Sequence, residues 1–193
     1  MKKLIFATHN ANKVKEVRNQ LMGTYEILGL NDIGFHEEII EDKKTIVENS
    51  ISKVIFVKER TGYDCFADDT GLEVNALNGK PGVFSKRFAG QNASSDDNIN
   101  KLLHMLKGKQ DRSAQFKTVI SLFNNGEIQT FEGICKGNIG FKRSGNFGFG
   151  YDPIFIPKNK NISFGQMSLE EKNKIAHRAR AVNKLIGYLT NLY

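Results

Sequence analysis

The sequence predicts an α/β fold built on a mixed β-sheet. Three observations carry this. Short apolar runs alternate with segments of helical period in the N-terminal half, which favours parallel pairing of the early strands. Two long strand-like segments, 113–123 and 127–136, flank Asn124-Asn125-Gly126, a hairpin signal and therefore an antiparallel pair. Two Ser/Thr-x-x-Glu capping boxes mark helix starts ahead of apolar-periodic stretches.

The elements follow in order. Residues 3–8 read as a buried strand. A helix is expected over 10–22, with Val14, Val17 and Leu21 on one face and Gly23 as the stop. Residues 25–30 read as a short strand. The next helix, 46–60, opens with Thr45-x-x-Glu48 and ends before Gly62; its apolar stripe is Val47, Ile51, Val54 and Ile55. Residues 63–67 read as a strand running into Asp68–Asp69. Segments 72–77 and 83–89 are strand-like, with Gly79-Lys80-Pro81-Gly82 turning between them. A third helix, 95–107, carries Ile99, Leu102, Leu103 and Leu106. The last helical stretch opens with Ser168-x-x-Glu171 and continues through Ile175, Ala179, Val182, Leu185 and Leu189.

Composition bounds the class. The chain has 193 residues, 39% of them apolar and 25% charged, which suits one globular domain or one domain with two lobes. No segment approaches the roughly 18 apolar residues needed to span a bilayer. The basic, apolar start MKKLIFATHN resembles a signal peptide, but its apolar run is shorter than the roughly 7–15 residues such a segment needs. Cys65 and Cys135 fit no metal spacing and no disulfide framework, which points to a reducing, cytoplasmic setting. The net charge is +7, and from Lys142 onward there are nine Lys/Arg against three Asp/Glu. A basic C-terminal third suits a polyanion, either a nucleic acid or a triphosphate.

Five groups of residues carry candidate chemistry. Thr8-His9-Asn10-Ala11-Asn12-Lys13 lies between a strand and a helix; N–H groups at a helix start, a hydroxyl and an ammonium suit phosphate, but the glycines of a Walker A loop are missing, and taken alone the residues favour a plain polar N-cap with a solvated lysine. Asp68 and Asp69 end an apolar run, and adjacent buried acids are costly without a cation; a turn at Asp-Thr-Gly is the alternative. Magnesium takes carboxylates, phosphate oxygens and waters. Of the acids Glu37, Glu38, Glu41 and Asp42, Glu41 is the candidate second metal ligand, and the others read as a solvated face. Residues 145–153 alternate glycine with aromatics and end on Asp152; an exposed aromatic there stacks on a base, and a buried one fills the core. Lys172 and His177 point about 140° apart on one straight helix, so joint binding of one ligand requires a break between about 173 and 177.

Taken together these residues resemble the Ham1-like inosine triphosphate pyrophosphatase family. The resemblance runs from Leu4 to about Leu189. It is anchored by FATHNANK (6–13), ENSISK (48–53), FADDTGLEV (66–74), GKPGVFSKRFAG (79–90), GFGYDPIF (148–155) and EEKNKIAHR (170–178). It implies a single ITPase-like domain over 1–193. It further implies a long bent mixed sheet flanked by helices, with two lobes around a central nucleotide-binding groove and a homodimer. The implied activity is hydrolysis of non-standard purine nucleoside triphosphates (ITP, dITP, XTP) to the monophosphate and pyrophosphate. The resemblance gives Asp69 as general base, and Asp69, Glu41 and Asp68 around Mg2+. Thr8, His9, Asn10, Ala11, Asn12 and Lys13 would hold phosphates, with Lys53 and Thr70 in support. Phe149, Gly150, Tyr151 and Asp152 would hold base and sugar. Lys172, His177 and Arg178 would complete the pocket, Lys172 meeting pyrophosphate charge and Arg178 and His177 donating to the base.

Departures from the family pattern are Glu41-Asp42-Lys43 in place of a glycine turn, Ala176 before His177-Arg178, Phe84 and Phe88 in place of two tyrosines, and Gln166 in place of an acid. The rival readings are a pyrophosphatase for other modified or ordinary nucleotides and a basic nucleic-acid-binding protein. The latter leaves Glu41, Asp68 and Asp69 without a role, and neither nucleic acid nor membrane is required by the first reading.

Overall fold

The first apolar run forms a strand that pairs on both sides, and the candidate site grows from it. In a computed structural model, which describes residues 2–21, 23 and 25–191, the strands are β1 (Lys2–Phe6), β2 (Tyr25–Gly29), β3 (Cys65–Val74), β4 (Pro81–Gly82), β5 (Ser113–Asn124), β6 (Glu127–Ile139) and β7 (Phe155–Pro157). The helices are α1 (Ala11–Leu21), α2 (Ile46–Thr61), α3 (Ser95–Met105), α4 (Leu169–Asn173) and α5 (His177–Asn191). Strand order is β2-β1-β3-β5-β6-β7, with β4 paired to β3. β1 runs parallel to β2 and β3, whereas β4 and β7 pair antiparallel with β3 and β6. The fold is therefore α/β on a mixed sheet, as expected. None of the described helices is long and apolar enough to cross a membrane.

The chain forms two compact units. One comprises 1–69, 118–133 and 178–193; the other comprises 70–117 and 134–177. In the first unit β3 is covered on both faces, and side chains alternate across a strand. Phe66 joins a cluster with Phe6, Val14, Val17, Leu122, Val182 and Leu185, which brings α1 and α5 to that face. Cys65 and Ala67 join the opposite cluster with Ile5, Leu30, Val54 and Val57, which brings α2 to the other. Phe6 and Phe66 stack with ring centroids 4.4 Å apart.

Local signals set most boundaries. Thr45 and Glu48 form the expected capping box at the start of α2, and Gly62 ends it at φ 73°. Ser168 and Glu171 cap α4 in the same way. Asn125 and Gly126 take φ 50° and 85°, the two positive angles that a tight hairpin turn between β5 and β6 demands.

Two expected strands are corrected. Residues 63–67 and 72–77 belong largely to one element, because β3 runs unbroken from Cys65 to Val74, and Asn75–Leu77 is a 3-10 turn. The acid pair thus sits in mid-strand rather than at a strand end. Residues 83–89 form no strand. The Ser85 hydroxyl accepts from Leu72 N–H at 2.9 Å and donates to the Gly82 carbonyl at 2.6 Å. A side chain replaces the ladder, and Ser85–Arg87 turns as 3-10 helix.

Leu185 is fully buried on the α5 face of the Phe66 cluster. Leu185→Ala should therefore lower unfolding free energy by about 2–5 kcal/mol, read by urea denaturation with an unchanged m-value.

Candidate functional site

The alternation of β3 sends its two aspartates to opposite faces. Asp68 follows the parity of Phe66 and meets α1 and α5. Lys13 Nζ donates to its Oδ1 at 2.8 Å, and Arg178 donates from Nε to its Oδ2 at 3.0 Å. The Arg178 guanidinium is also ion-paired through Nη1 with Glu16. Glu16, Arg178, Asp68 and Lys13 thus form a chain of alternating charge, with Glu16, Asp68 and Arg178 buried. Burial opposes ionisation of Asp68, but Lys13, Arg178 and Lys53 outweigh it and hold the carboxyl well below the usual range. Burial likewise opposes the charge of Arg178, yet Asp68 and Glu16 raise its affinity for the proton above the ordinary value.

Asp69 follows the parity of Ala67 and meets α2. Lys53 Nζ lies 3.3 Å from its Oδ1, and Asn49 Nδ2 donates to its Oδ2 at 3.2 Å. Lys53 is ion-paired with Glu41 as well and donates to the Asp68 carbonyl at 3.0 Å. Burial pushes the Asp69 carboxyl above its ordinary value, and Lys53 and Lys13 offset this only in part. Burial also works against the Lys53 charge, but Asp69, Glu41 and Asp68 together raise its pKa. Lys13 is lowered, burial outweighing its partner Asp68.

The three acids expected around one metal do not converge. Among the described residues no group of three or more His, Cys, Asp or Glu side chains is arranged to hold an ion. The pleat is the reason: it turns Asp68 toward the Lys13 and Arg178 side. Magnesium does not need a full protein cage, since one or two carboxylates with phosphate oxygens and waters suffice. Glu41 and Asp69 supply hard oxygens that already share one cation, the Lys53 ammonium. That donor set fits a divalent ion.

The loop 8–13 is corrected in one respect. N–H groups at the start of α1 were expected to await phosphate, but Asn10 Oδ1 accepts from Asn12 N–H at 3.0 Å and from Lys13 N–H at 3.3 Å. Asn10 is the cap. Thr8 Oγ1 accepts from Asn10 N–H at 3.2 Å. His9 braces the loop, its ring nitrogens lying 3.0 Å from Asn31 Oδ1 and 2.9 Å from the Glu37 carbonyl. Ala11 is exposed at the first position of α1.

The second unit holds a separate cluster. Lys172 Nζ donates to Asp152 Oδ2 at 2.6 Å, and Phe149 N–H donates to the same oxygen at 2.8 Å. The ammonium lies 5.0 Å from the Phe149 ring centre and 5.4 Å from that of Phe164. A Cβ on Gly148, which has φ 74°, would lie 2.0 Å from Asp152 Oδ2, so this approach requires glycine. Tyr151 is buried, donates to the Ser85 carbonyl at 2.9 Å, and has its phenol pKa raised by that burial. His177 stacks on Phe116 with centroids 4.5 Å apart. Gly150 and Thr70 are half-buried. The helix break required for Lys172 and His177 is present: α4 ends at Asn173 and α5 begins at His177. Lys172 is ion-paired with Asp152, and Arg178 is ion-paired with Asp68 and Glu16.

Sequence reasoning missed Glu16 and Asn49. Both were within reach of a spacing rule, because Glu16 lies three residues after Lys13 on α1 and Asn49 four before Lys53 on α2. A polar side chain sharing a buried helix face with a site lysine is a partner of that site.

The sequence model of the Ham1 family matches residues 4–188. The dITP/XTP pyrophosphatase of Flavobacterium psychrophilum is 52% identical over 188 residues, covering 97% of this chain and 99% of that protein. The dITP/XTP pyrophosphatase of Porphyromonas gingivalis is 47% identical over 190 residues, covering 98% of each chain. Among solved structures, the Staphylococcus aureus Ham1 protein superposes with a TM-score of 0.88 at 36% identity, covering 100% of both chains. A HAM1 protein from Coxiella burnetii gives 0.89 at 35% identity, covering 99% of this chain and 100% of that one.

Glu16 and Asp68 share Arg178, so their substitutions should not add. Glu16→Gln and Asp68→Asn should each cost about 3–5 kcal/mol in denaturant unfolding near neutral pH, as breaking a buried pair does. The double variant should fall short of their sum by about 0.5–3 kcal/mol. The Asp68 carboxyl is depressed in the folded state, so its contribution is full above the unfolded carboxylate range and is lost as pH falls toward the folded value. The cost of Asp68→Asn should shrink accordingly in acid.

Proposed function

Because the chain belongs to the Ham1 family, we propose that it hydrolyses non-standard purine nucleoside triphosphates (ITP, dITP, XTP) to the monophosphate and pyrophosphate, with the acid pair at the centre of the chemistry. The chain is a nucleoside triphosphate pyrophosphatase, a hydrolase of nucleotide metabolism. The single observation that carries the reading of its site is the split fate of the acid pair. Asp68 is locked as an ion between Lys13 and Arg178, while Asp69 is buried with a raised affinity for a proton.

Two neighbouring carboxylates whose environments push them apart take different roles. Asp69 is the general base: it orients a water and accepts its proton as the oxygen attacks the α-phosphorus, while the bond from that phosphorus to the bridging oxygen breaks and pyrophosphate leaves. Asn49 fixes the Asp69 carboxylate through Oδ2. Lys13 meets phosphate charge, held in place by Asp68. Thr8 to Lys13 form the phosphate loop, with Asn10 capping the helix and Lys53 and Thr70 in support. Glu41 and Asp69 are the residues that would hold Mg2+, with Asp68 beside them acting through its cations. When bound, Mg2+ neutralises phosphate charge and lowers the cost of forming hydroxide. Positioning and charge stabilisation then carry phosphoryl transfer.

The cluster around Phe149, Gly150, Tyr151 and Asp152 takes the base and sugar. Lys172, a pure donor, favours the oxygen at position six of hypoxanthine and xanthine over the amino group of adenine. His177 completes this cluster, and Arg178 supports the acid pair. The reading also puts the enzyme in the cytoplasm as a homodimer; two buried cysteines that form no disulfide suit a reducing compartment.

Asp69→Asn should lower kcat on ITP by several orders of magnitude in an assay for pyrophosphate; near-normal turnover would defeat the assignment. The base must be ionised and its carboxyl is raised, so kcat/KM should fall as pH drops. Its acid limb should inflect above the ordinary aspartate value of 3.8.

A further inference from the structure

Lys53 occupies the cation position between the two proposed metal ligands. Its ammonium is ion-paired with Glu41, lies 3.3 Å from Asp69 Oδ1 and donates to the Asp68 carbonyl at 3.0 Å. An ammonium has three hydrogens, and three oxygens surround this one. The side chain is only 6% exposed, so water does little to satisfy it elsewhere. A divalent ion on Glu41 and Asp69 needs the same oxygens and repels the same charge. Both cannot be held there together.

The surroundings determine which parts give way. Asp69 is anchored by Asn49, and Asn49 Oδ1 in turn accepts from Lys43 N–H at 3.0 Å. Glu41 lies outside any helix or strand, and its side chain is 24% exposed against 8% for Asp69. The Lys53 stem has four rotatable bonds, and its ammonium can follow a better partner. Phosphate oxygens are such a partner.

We infer that Lys53 is an internal competitor for the metal, which makes divalent-ion binding depend on nucleotide. The inference rests on the reading that Glu41 and Asp69 hold Mg2+. Without nucleotide, an incoming ion must strip the ammonium of its carboxylates and leave a buried charge unpaired. With nucleotide, the triphosphate accepts the displaced ammonium while the ion takes the carboxylates. Metal and nucleotide therefore enter as a pair, and each raises the affinity of the other by the same factor.

The test is Mn2+ binding followed by electron paramagnetic resonance, with and without a non-hydrolysable α,β-methylene analogue of ITP. Lys53→Met should bind Mn2+ at least about tenfold more tightly than the natural protein when nucleotide is absent, and the gain on adding the analogue should shrink. Equal or weaker binding of Mn2+ by Lys53→Met without nucleotide would overturn the inference. Lys53→Gln, which keeps a hydrogen-bonding head, serves if near-UV circular dichroism shows that the methionine variant does not fold. A measurement on the natural protein is independent of both. With lysine 13C-labelled at Cε, the Lys53 resonance should move when Mg2+ and the analogue are both present; an unmoved resonance would refute the exchange. Glu41→Gln and Asp69→Asn separate the underlying reading, because if neither weakens Mn2+ binding in the presence of analogue, the metal site itself is wrong.

Discussion

Two adjacent carboxylates in the middle of a buried strand constrain everything around them. A strand cannot place neighbours on one side, so Asp68 and Asp69 go to opposite faces, each under a helical layer. A buried charge without a partner is prohibitively costly. Each face must therefore supply its own cation. α1 and α5 supply Lys13 and Arg178, and α2 supplies Lys53. The compensation itself needs compensating: Arg178 brings more charge than Asp68 can balance beside Lys13, and Glu16 answers it from α1.

The same constraint separates the chemistry of the pair. Asp68 receives two cations directly and becomes a fixed anion, useful for orienting lysine and arginine but poor at taking a proton. Asp69 shares its lysine with Glu41 and is left with a raised affinity for the proton. The general base proposed above is thus the member of the pair with the raised affinity for a proton. No difference in residue type produces this; one position in the pleat does.

Much of this was legible before any coordinates. Capping boxes at Thr45 and Ser168, Gly62 as a stop, and the Asn125-Gly126 turn are local rules, and the structure obeys them. The break before His177 was legible only on a condition: if Lys172 and His177 bind one ligand, a single straight helix cannot aim both at it. What failed depended on partners distant in sequence. Residues 83–89 have strand-like composition, but the Ser85 hydroxyl captures the Leu72 amide and no ladder forms. The face that Glu16 shares with Lys13 is legible from spacing, but its pairing with Arg178, 162 positions away, is invisible to any window. Asn10 was legible as polar, yet whether its oxygen or a ligand caps α1 is decided by a rotamer.

The base selectivity proposed for the second unit follows a parallel argument. Lys172 is 4% exposed and survives as an ion because Asp152 pairs with it and two aromatic faces lie about it. Gly148 leaves the space that Asp152 needs, and Phe149 N–H holds the same oxygen. The result is a donor whose direction is fixed by packing rather than by solvent. A solvated lysine discriminates little, because water relieves a mismatched partner. A desolvated one does not forgive it: an amino group facing this ammonium leaves donor against donor, with no water to intervene. Burial, which makes the acid pair costly in one unit, would sharpen the proposed recognition of the base oxygen in the other.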